Sequence, residues 1–321
     1  MNDKQSNSNP QLAFVFPGQG SQSVGMLADI AGEQAAVKAA FDEASHGAGV
    51  DLWDLSQNGP EEQLNQTEFT QPALLAASVG LYRAYIENGG KAPAIMSGHS
   101  LGEYSALVAA GALSLTDAAA LVRTRGQLMQ SACPAGSGGM AAVLGAEDDM
   151  VRNACKHAST NTEIVVPANF NSPGQIVIGG SKPAVDRAVA WLQEQGIRKV
   201  MPLAVSVPSH TPLMADAAQR LRAHFEQATW SMPTTPIVQN VDASVHDSIE
   251  SIQAALVRQL SMPVLWTHCV QNLARSGVTQ VIECGPGKVL SGLIKRIDGN
   301  LNASTINTSD AFNAAVNGEN A

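Results

Sequence analysis

Basic charge is scarce in this chain, with 19 Lys and Arg against 28 Asp and Glu and a formal net charge of −9. Neutralising a phosphate backbone requires clustered Lys and Arg, so the balance excludes a sequence-independent nucleic-acid binder. Cysteine is equally sparse. Cys133, Cys155, Cys269 and Cys284 show no C-x-x-C or other metal-ligand spacing, which predicts reduced structural thiols and no metal site. No segment offers about 18 uninterrupted apolar residues, the rough need of a membrane span. Residues Met1 to Pro10 contain no apolar run able to act as a signal-peptide core, so the expectation is a cytoplasmic protein. Aromatics make up only 4% of the residues, whereas hydrophobic types reach 45%. A core of small side chains in a folded globule follows. At 321 residues the chain suits one large domain with a smaller companion.

The apolar run Leu12 to Phe16 ends at Pro17-Gly18-Gln19-Gly20, which predicts a buried strand entering a tight loop. A second run, Ala94 to Met96, stops at Gly98, and Glu103 to Ala110 then reads as a helix closed by Gly111. Thr116 is the expected N-cap of the next helix, which carries Leu121, Val122, Arg125, Leu128 and Met129. Pro134 to Gly139 form a break. Beyond it the pattern predicts strand 140–144, helix 147–158, strands 163–166 and 175–179, helix 182–195 and strand 199–205. That is the order of a ferredoxin-like unit, with Asn169 to Gly174 as the turn between its central strands. Alternation of strand and helix resumes after it. The expected fold class is therefore α/β, a large α/β-hydrolase-like domain with an inserted ferredoxin-like subdomain. The expected boundaries are a disordered extension over 1–11, the large domain over 12–133 plus 207–310, the small subdomain over 134–206 and a loose tail over 311–321.

Gly98-His99-Ser100-Leu101-Gly102 is a G-x-S-x-G set between predicted strand and predicted helix, the context of a nucleophile elbow. The turn would expose the Ser100 hydroxyl and aim the Leu101 N–H toward the same spot. The bland alternative is a glycine-rich connection with an ordinary serine. His99 adjoins the serine, but neighbours on such a turn point apart, which favours a distant base. His210 qualifies because Val207-Pro208-Ser209-His210 opens a segment where two subdomains should meet. Arg125 on a largely apolar helix calls for an anionic partner, either a structural ion pair or a ligand. Gly18-Gln19-Gly20 fails the dinucleotide fingerprint at Ser23, and Gly287-Lys288 fails the phosphate-loop pattern at Val289 and Ile282.

Phe16-Pro17-Gly18-Gln19-Gly20-Ser21-Gln22, the elbow with Glu103-Tyr104-Ser105, Arg123-Thr124-Arg125-Gly126, Pro208-Ser209-His210 and Glu283-Cys284-Gly285-Pro286-Gly287 occur in one order. Together, over residues 12 to 298, they resemble the malonyl-CoA:acyl carrier protein transacylase family of bacterial fatty-acid synthesis. The resemblance implies Ser100 as acylated nucleophile, His210 as its base, Arg125 as partner of the malonyl carboxylate, and the amides of Gln19 and Leu101 as oxyanion hole. It implies Gln259, through its main-chain carbonyl, as the group orienting His210, with Asp216 and Asp242 left open by the sequence itself. The implied partners are malonyl-CoA and holo acyl carrier protein, with no cofactor beyond the coenzyme A thioester. Lys288, Lys295 and Arg296, then Arg198 and Lys199, are the basic residues available to an acidic carrier. The rival readings are a polyketide acyltransferase and a G-x-S-x-G esterase or thioesterase. An esterase would place an acid between serine and histidine and would have no use for Arg125. A non-catalytic carrier-binding protein would have no use for Ser100 and His210.

Overall fold

β1 (Ser8–Phe16) and β2 (Ala92–Gly98) lie side by side and parallel, and their side chains alternate between two apolar layers. Leu12, Phe14 and Phe16 enter one layer with Met96, while Ala13 and Val15 enter the other with Ile95. This double burial is what an uninterrupted apolar strand needs in a parallel sheet. The computed structural model describes residues 8–319 apart from 204 and 206. Four of the aromatics, Phe14, Phe16, Tyr82 and Tyr85, meet at this point: the Phe14 ring lies 5.5 Å from Tyr82 and 5.1 Å from Tyr85, centroid to centroid.

The smaller sheet follows in sequence as β3 (Gly138–Leu144), β4 (Val165–Ser172), β5 (Gln175–Ser181) and β6 (Lys199–Pro202). Its order is β4-β5-β3-β6, and each neighbouring pair is antiparallel. Helices Asp148–Ala158 and Lys182–Glu194 cover one face, so the ferredoxin-like arrangement is present. The other face carries Met140, Ala142, Ala168 and Val177. After it come β7 (Ile237–Gln239), β8 (Ser244–Val245), β9 (Gln280–Glu283) and β10 (Asn302–Thr305), which complete the large sheet in the order β10-β9-β1-β2-β7-β8. All its pairs are parallel except β7 with β8.

Several expectations are corrected. Residues 8–11, expected in a disordered extension, belong to β1, where Ser8 and Asn9 pair with Ala92 and Pro93; residues 1–7 lie outside the described residues. The loose tail expected over 311–321 begins inside a helix, Ser309–Val316. The Thr308 hydroxyl caps it by accepting from Ala311 N, and the buried Phe312 anchors it. Asn169 to Ser172 are not a turn but the end of β4, leaving only Pro173-Gly174 to reverse the chain. The intrinsic turn preference of the asparagines is overridden because Phe170 N donates to Val264 O and Val264 N donates to Ala168 O, tying β4 to the large domain. The helix bearing Arg125 spans Leu115–Ser131 and is capped by Ser114, which accepts from Asp117 N, not by Thr116. The strand expected over 199–205 ends at Pro202. Residue 206, the expected limit of the small subdomain, lies outside the described residues. Among the described residues no helix is long and apolar enough to cross a membrane.

Candidate active site

Ser100 sits two residues beyond a β2 that ends at Gly98, with a left-handed φ of 53°, and the helix Gly102–Ala109 starts two residues later. Such a conformation costs a non-glycine residue about 1–3 kcal/mol, so the surroundings must hold it. They do so by contact. A Cβ on Gly98 would stand 1.9 Å from the Gly102 carbonyl carbon, and one on Gly102 would stand 2.0 Å from Phe16 O. Ser100 N donates to Asn240 Oδ1 over 2.7 Å, and Asn240 Nδ2 returns a bond to Gly98 O over 2.7 Å. The Pro17-Gly18-Gln19 loop packs on the elbow so tightly that a Cβ on Gly18 would lie 2.6 Å from His99 O. Neither Leu101 N nor Gln19 N finds an acceptor among the described residues, and both residues line the cavity at Ser100. Two free donors there are what a developing oxyanion requires.

His210, itself left-handed at φ 61°, directs Nε2 to Ser100 Oγ at 2.7 Å and Nδ1 to Gln259 O at 2.7 Å. A carbonyl can only accept, so Nδ1 carries the proton and Nε2 presents a lone pair to the serine hydroxyl. The aspartates left open by the sequence are engaged elsewhere: Asp242 with Arg258 at 2.8 Å and His246 at 3.2 Å, and the exposed Asp216 with Arg220 at 4.0 Å. His99 turns away from the serine to Asn171 Oδ1 at 2.8 Å. Burial, reinforced by the Arg125 charge, lowers the His210 pKa to about 3 against the pull of the Gln259 carbonyl. His210 is therefore neutral through the whole physiological range. If His210 serves as base to a Ser100 nucleophile, the rate of that step is expected to stay flat from about pH 5 to 8, because the histidine stays deprotonated until the pH approaches its folded-state value. Single-turnover rates across that window are the check, and a tenfold loss centred near 6.5 would contradict it.

Arg125 is 1% exposed. Its Nη1 donates to Gln71 Oε1 at 2.7 Å, and its Nη2 to Gln259 Oε1 at 3.0 Å and to Ser100 Oγ at 3.1 Å. Gly126 permits this placement. A Cβ there would be 2.6 Å from Glu68 Cα, so glycine lets the arginine's helix close on the helix Thr67–Glu87 that carries Gln71. Among the described residues no carboxylate pairs with the guanidinium and its Nε has no partner. Burial lowers its pKa, while Tyr104 and Glu103 oppose that shift.

The cavity holding these groups measures about 410 Å³. Its floor is the elbow with Arg125 and His210, and its cover is the open face of the small sheet through Met140, Asn169 and Val177. It thus lies at the carboxyl ends of β1 and β2, where open α/β sheets place their ligands. Lys288, Lys295 and Arg296 are exposed around the helix Val289–Ile297 that follows β9, and Arg198 and Lys199 are exposed at β6. Within the last motif, Glu283 is a structural acid that accepts from Leu290 N and Ser291 N, at 3.0 and 2.7 Å, and so fixes that helix start.

All six residues singled out from the sequence, Gln19, Ser100, Leu101, Arg125, His210 and Gln259, meet in this one region. Glu103, Asn240 and Gln71 escaped sequence reasoning as parts of the site. For Glu103 a signal existed, an acid in an otherwise apolar helix one turn after the elbow; Asn240 and Gln71 carry none.

The family model of the acyl transferase domain matches residues 13–306 of the chain. The malonyl CoA-acyl carrier protein transacylase of Escherichia coli K12 is 53% identical over 306 residues, covering 95% of this chain and 99% of the relative. A crystal structure of malonyl-CoA:acyl carrier protein transacylase from Xanthomonas oryzae is 59% identical with a TM-score of 0.96, covering 98% of this chain and 100% of that one. A malonyl-transacylase solved in complex with its type II polyketide acyl-carrier protein is 50% identical with a TM-score of 0.94, covering 96% and 100%. With a buried arginine and a neutral histidine converging on the elbow serine under a small antiparallel sheet, and with likeness of this extent, the chain belongs to the malonyl-CoA:acyl carrier protein transacylase family of acyltransferases.

Proposed function

We propose that the chain moves a malonyl group from malonyl-CoA to the phosphopantetheine thiol of an acyl carrier protein through an ester on Ser100, supplying extender units for fatty-acid synthesis. The observation that carries this reading is the Ser100 hydroxyl held between His210 Nε2 and an arginine with no carboxylate of its own. Ser100 Oγ attacks the thioester carbonyl while His210 Nε2 takes its proton. The oxyanion develops against the Leu101 and Gln19 amides. Collapse expels coenzyme A, whose sulfur takes the proton from His210. The carrier's thiol then gives its proton to His210 and attacks the ester by the same route in reverse, leaving Ser100 free. Each proton and bond is accounted for by Ser100, His210 and the two thiols, so the reaction calls for no metal or redox cofactor. In this reading the inserted segment 134–206 shelters the ester from water, and the protein works in the cytoplasm. Service to a polyketide carrier is the second reading, favoured by the polyketide transacylase relative; the acylation chemistry would be the same.

Exposure of the protein to malonyl-CoA should add one malonyl mass to the peptide bearing Ser100. Arg125 sets the preference among acyl groups, because a guanidinium can hold a carboxylate through two parallel N–H to O bonds. Arg125→Ala should lower kcat/KM for malonyl-CoA roughly 10- to more than 100-fold, since a hydrogen bond to a charged group contributes about 1.5–3 kcal/mol. Acetyl transfer should fall less or rise, and Arg125→Lys should recover little. An unchanged malonyl to acetyl ratio would make Arg125 structural and favour a hydrolase.

A further inference from the structure

Glu103 is a buried acid near a buried base, yet the two do not touch. It is 1% exposed, on the first turn of the helix Gly102–Ala109, and its Oε1 accepts from Asn240 N. Its Oε2 accepts from Gln259 Nε2 at 2.5 Å. The other end of the same amide, Gln259 Oε1, accepts from Arg125 Nη2 at 3.0 Å. The orientation of this amide is forced. Gln259 Nε2 also donates to Ser100 O at 2.8 Å, which can only accept, and Arg125 can only donate. Nitrogen must therefore face Glu103 and oxygen must face Arg125. Both Glu103 oxygens already receive donors, so the pattern fits a carboxylate. Burial raises its pKa to about 8 against the pull of those donors and the Arg125 charge, but with only donors facing both oxygens an acid proton would have no acceptor, and the geometry favours the carboxylate.

We propose that the Gln259 side chain, oriented by Glu103, is a specificity-determining spacer: it fixes the Arg125 guanidinium through a neutral oxygen and keeps the Glu103 carboxylate from pairing with it, leaving the cation for the substrate carboxylate. A buried guanidinium paired directly with a protein carboxylate would offer malonyl little, because that ion pair would have to break first. A guanidinium with no counter-charge nearby would be costly to bury. One amide between acid and base meets both demands. The Glu103 charge still favours the ionised arginine from a distance, while the arginine's nearest partners are amides and a hydroxyl that a carboxylate can displace. Gln259 thus does two separable things: its main-chain carbonyl faces His210, and its side chain separates Glu103 from Arg125.

This inference rests on the malonyl reading of Arg125, and the test separates the two. Single-turnover acylation of Ser100 by malonyl-CoA and by acetyl-CoA is measured for the wild type, for Arg125→Ala, for the exchange Glu103→Gln with Gln259→Glu, and for Gln259→Met. The exchange keeps the net charge and places the carboxylate on Arg125, while reversing donor and acceptor between positions 103 and 259 and removing the donor to Ser100 O. It should lower the malonyl to acetyl ratio at least about tenfold, the scale of one charged hydrogen bond. Gln259→Met keeps the main-chain carbonyl toward His210 and removes the spacer's oxygen. It should lower the ratio at least about threefold, and it decides the matter if the exchange does not fold. A wild-type ratio in either folded variant, with Arg125→Ala still collapsing it, overturns the spacer alone. A ratio indifferent to Arg125→Ala overturns the malonyl reading beneath it.

Discussion

Ser100→Ala is expected to leave the protein without any covalent malonyl group and to lower transfer by roughly five to six orders of magnitude, the scale on which loss of a nucleophilic serine acts in serine hydrolases. The hydroxyl is the atom that His210 Nε2 and Arg125 Nη2 both reach, at 2.7 and 3.1 Å. Ser209 also lines the cavity, but its hydroxyl has no histidine partner among the described residues. The substitution should be clean. Alanine keeps the Cβ, so the strain at φ 53° is unchanged, and the backbone N–H still reaches Asn240. Intact-protein mass after exposure to malonyl-CoA reads the outcome. An adduct at wild-type yield would place the ester on another residue.

His210→Ala should slow acylation by about two to four orders of magnitude, the usual worth of a positioned general base. The two half-reactions should then respond differently to pH. In acylation the nucleophile is an alcohol, which stays protonated throughout the accessible range, so the variant remains slow. In transfer to the carrier the attacking group is a thiol with an ordinary pKa near 8.5, so raising the pH should restore part of that half-reaction without any base. Rapid-quench measurement of each half-reaction at about pH 7 and 9 separates them. Equal recovery of both would mean that His210 serves only to hold the serine.

How much of this was legible in the sequence depends on how locally each feature is specified. Ser100 and Leu101 could be read because the elbow is a turn whose two glycines are demanded by contacts of about 2 Å within or beside the motif. His210 was legible as the start of a segment, but its contact with Gln259 O spans 49 positions and came only from the family resemblance. Arg125 stood out as a charge among apolar residues, while its partners Gln71 and Gln259 lie 54 and 134 positions away. Glu103 and Asn240 went unread for the same reason: their bond joins residues 137 positions apart, and nothing local in either segment requires it. The misplaced turn at Asn169 to Gly174 fails in the opposite sense. There the local signal was strong, and a distant segment at Val264 overruled it by completing the backbone hydrogen bonds of β4.

The order of strands in the large sheet also bears on how the chain is made. β1, the apolar strand Ser8–Phe16, has β2 along one edge, but along the other it has β9, whose residues 280–283 come from near the end of the sequence. During synthesis at about 5–20 residues per second, β1 therefore keeps an open edge until well after β2 has emerged. An apolar strand with a free edge is a template for pairing with other chains. The centre of this sheet closes only when β9 arrives, and Pro17, one residue beyond β1, meets Gly285 at the same stage. The loop that carries Gln19 is thus finished by the final third of the protein, and a nascent chain holds this strand edge open until the same moment that Gln19 is set beside the Ser100 cavity.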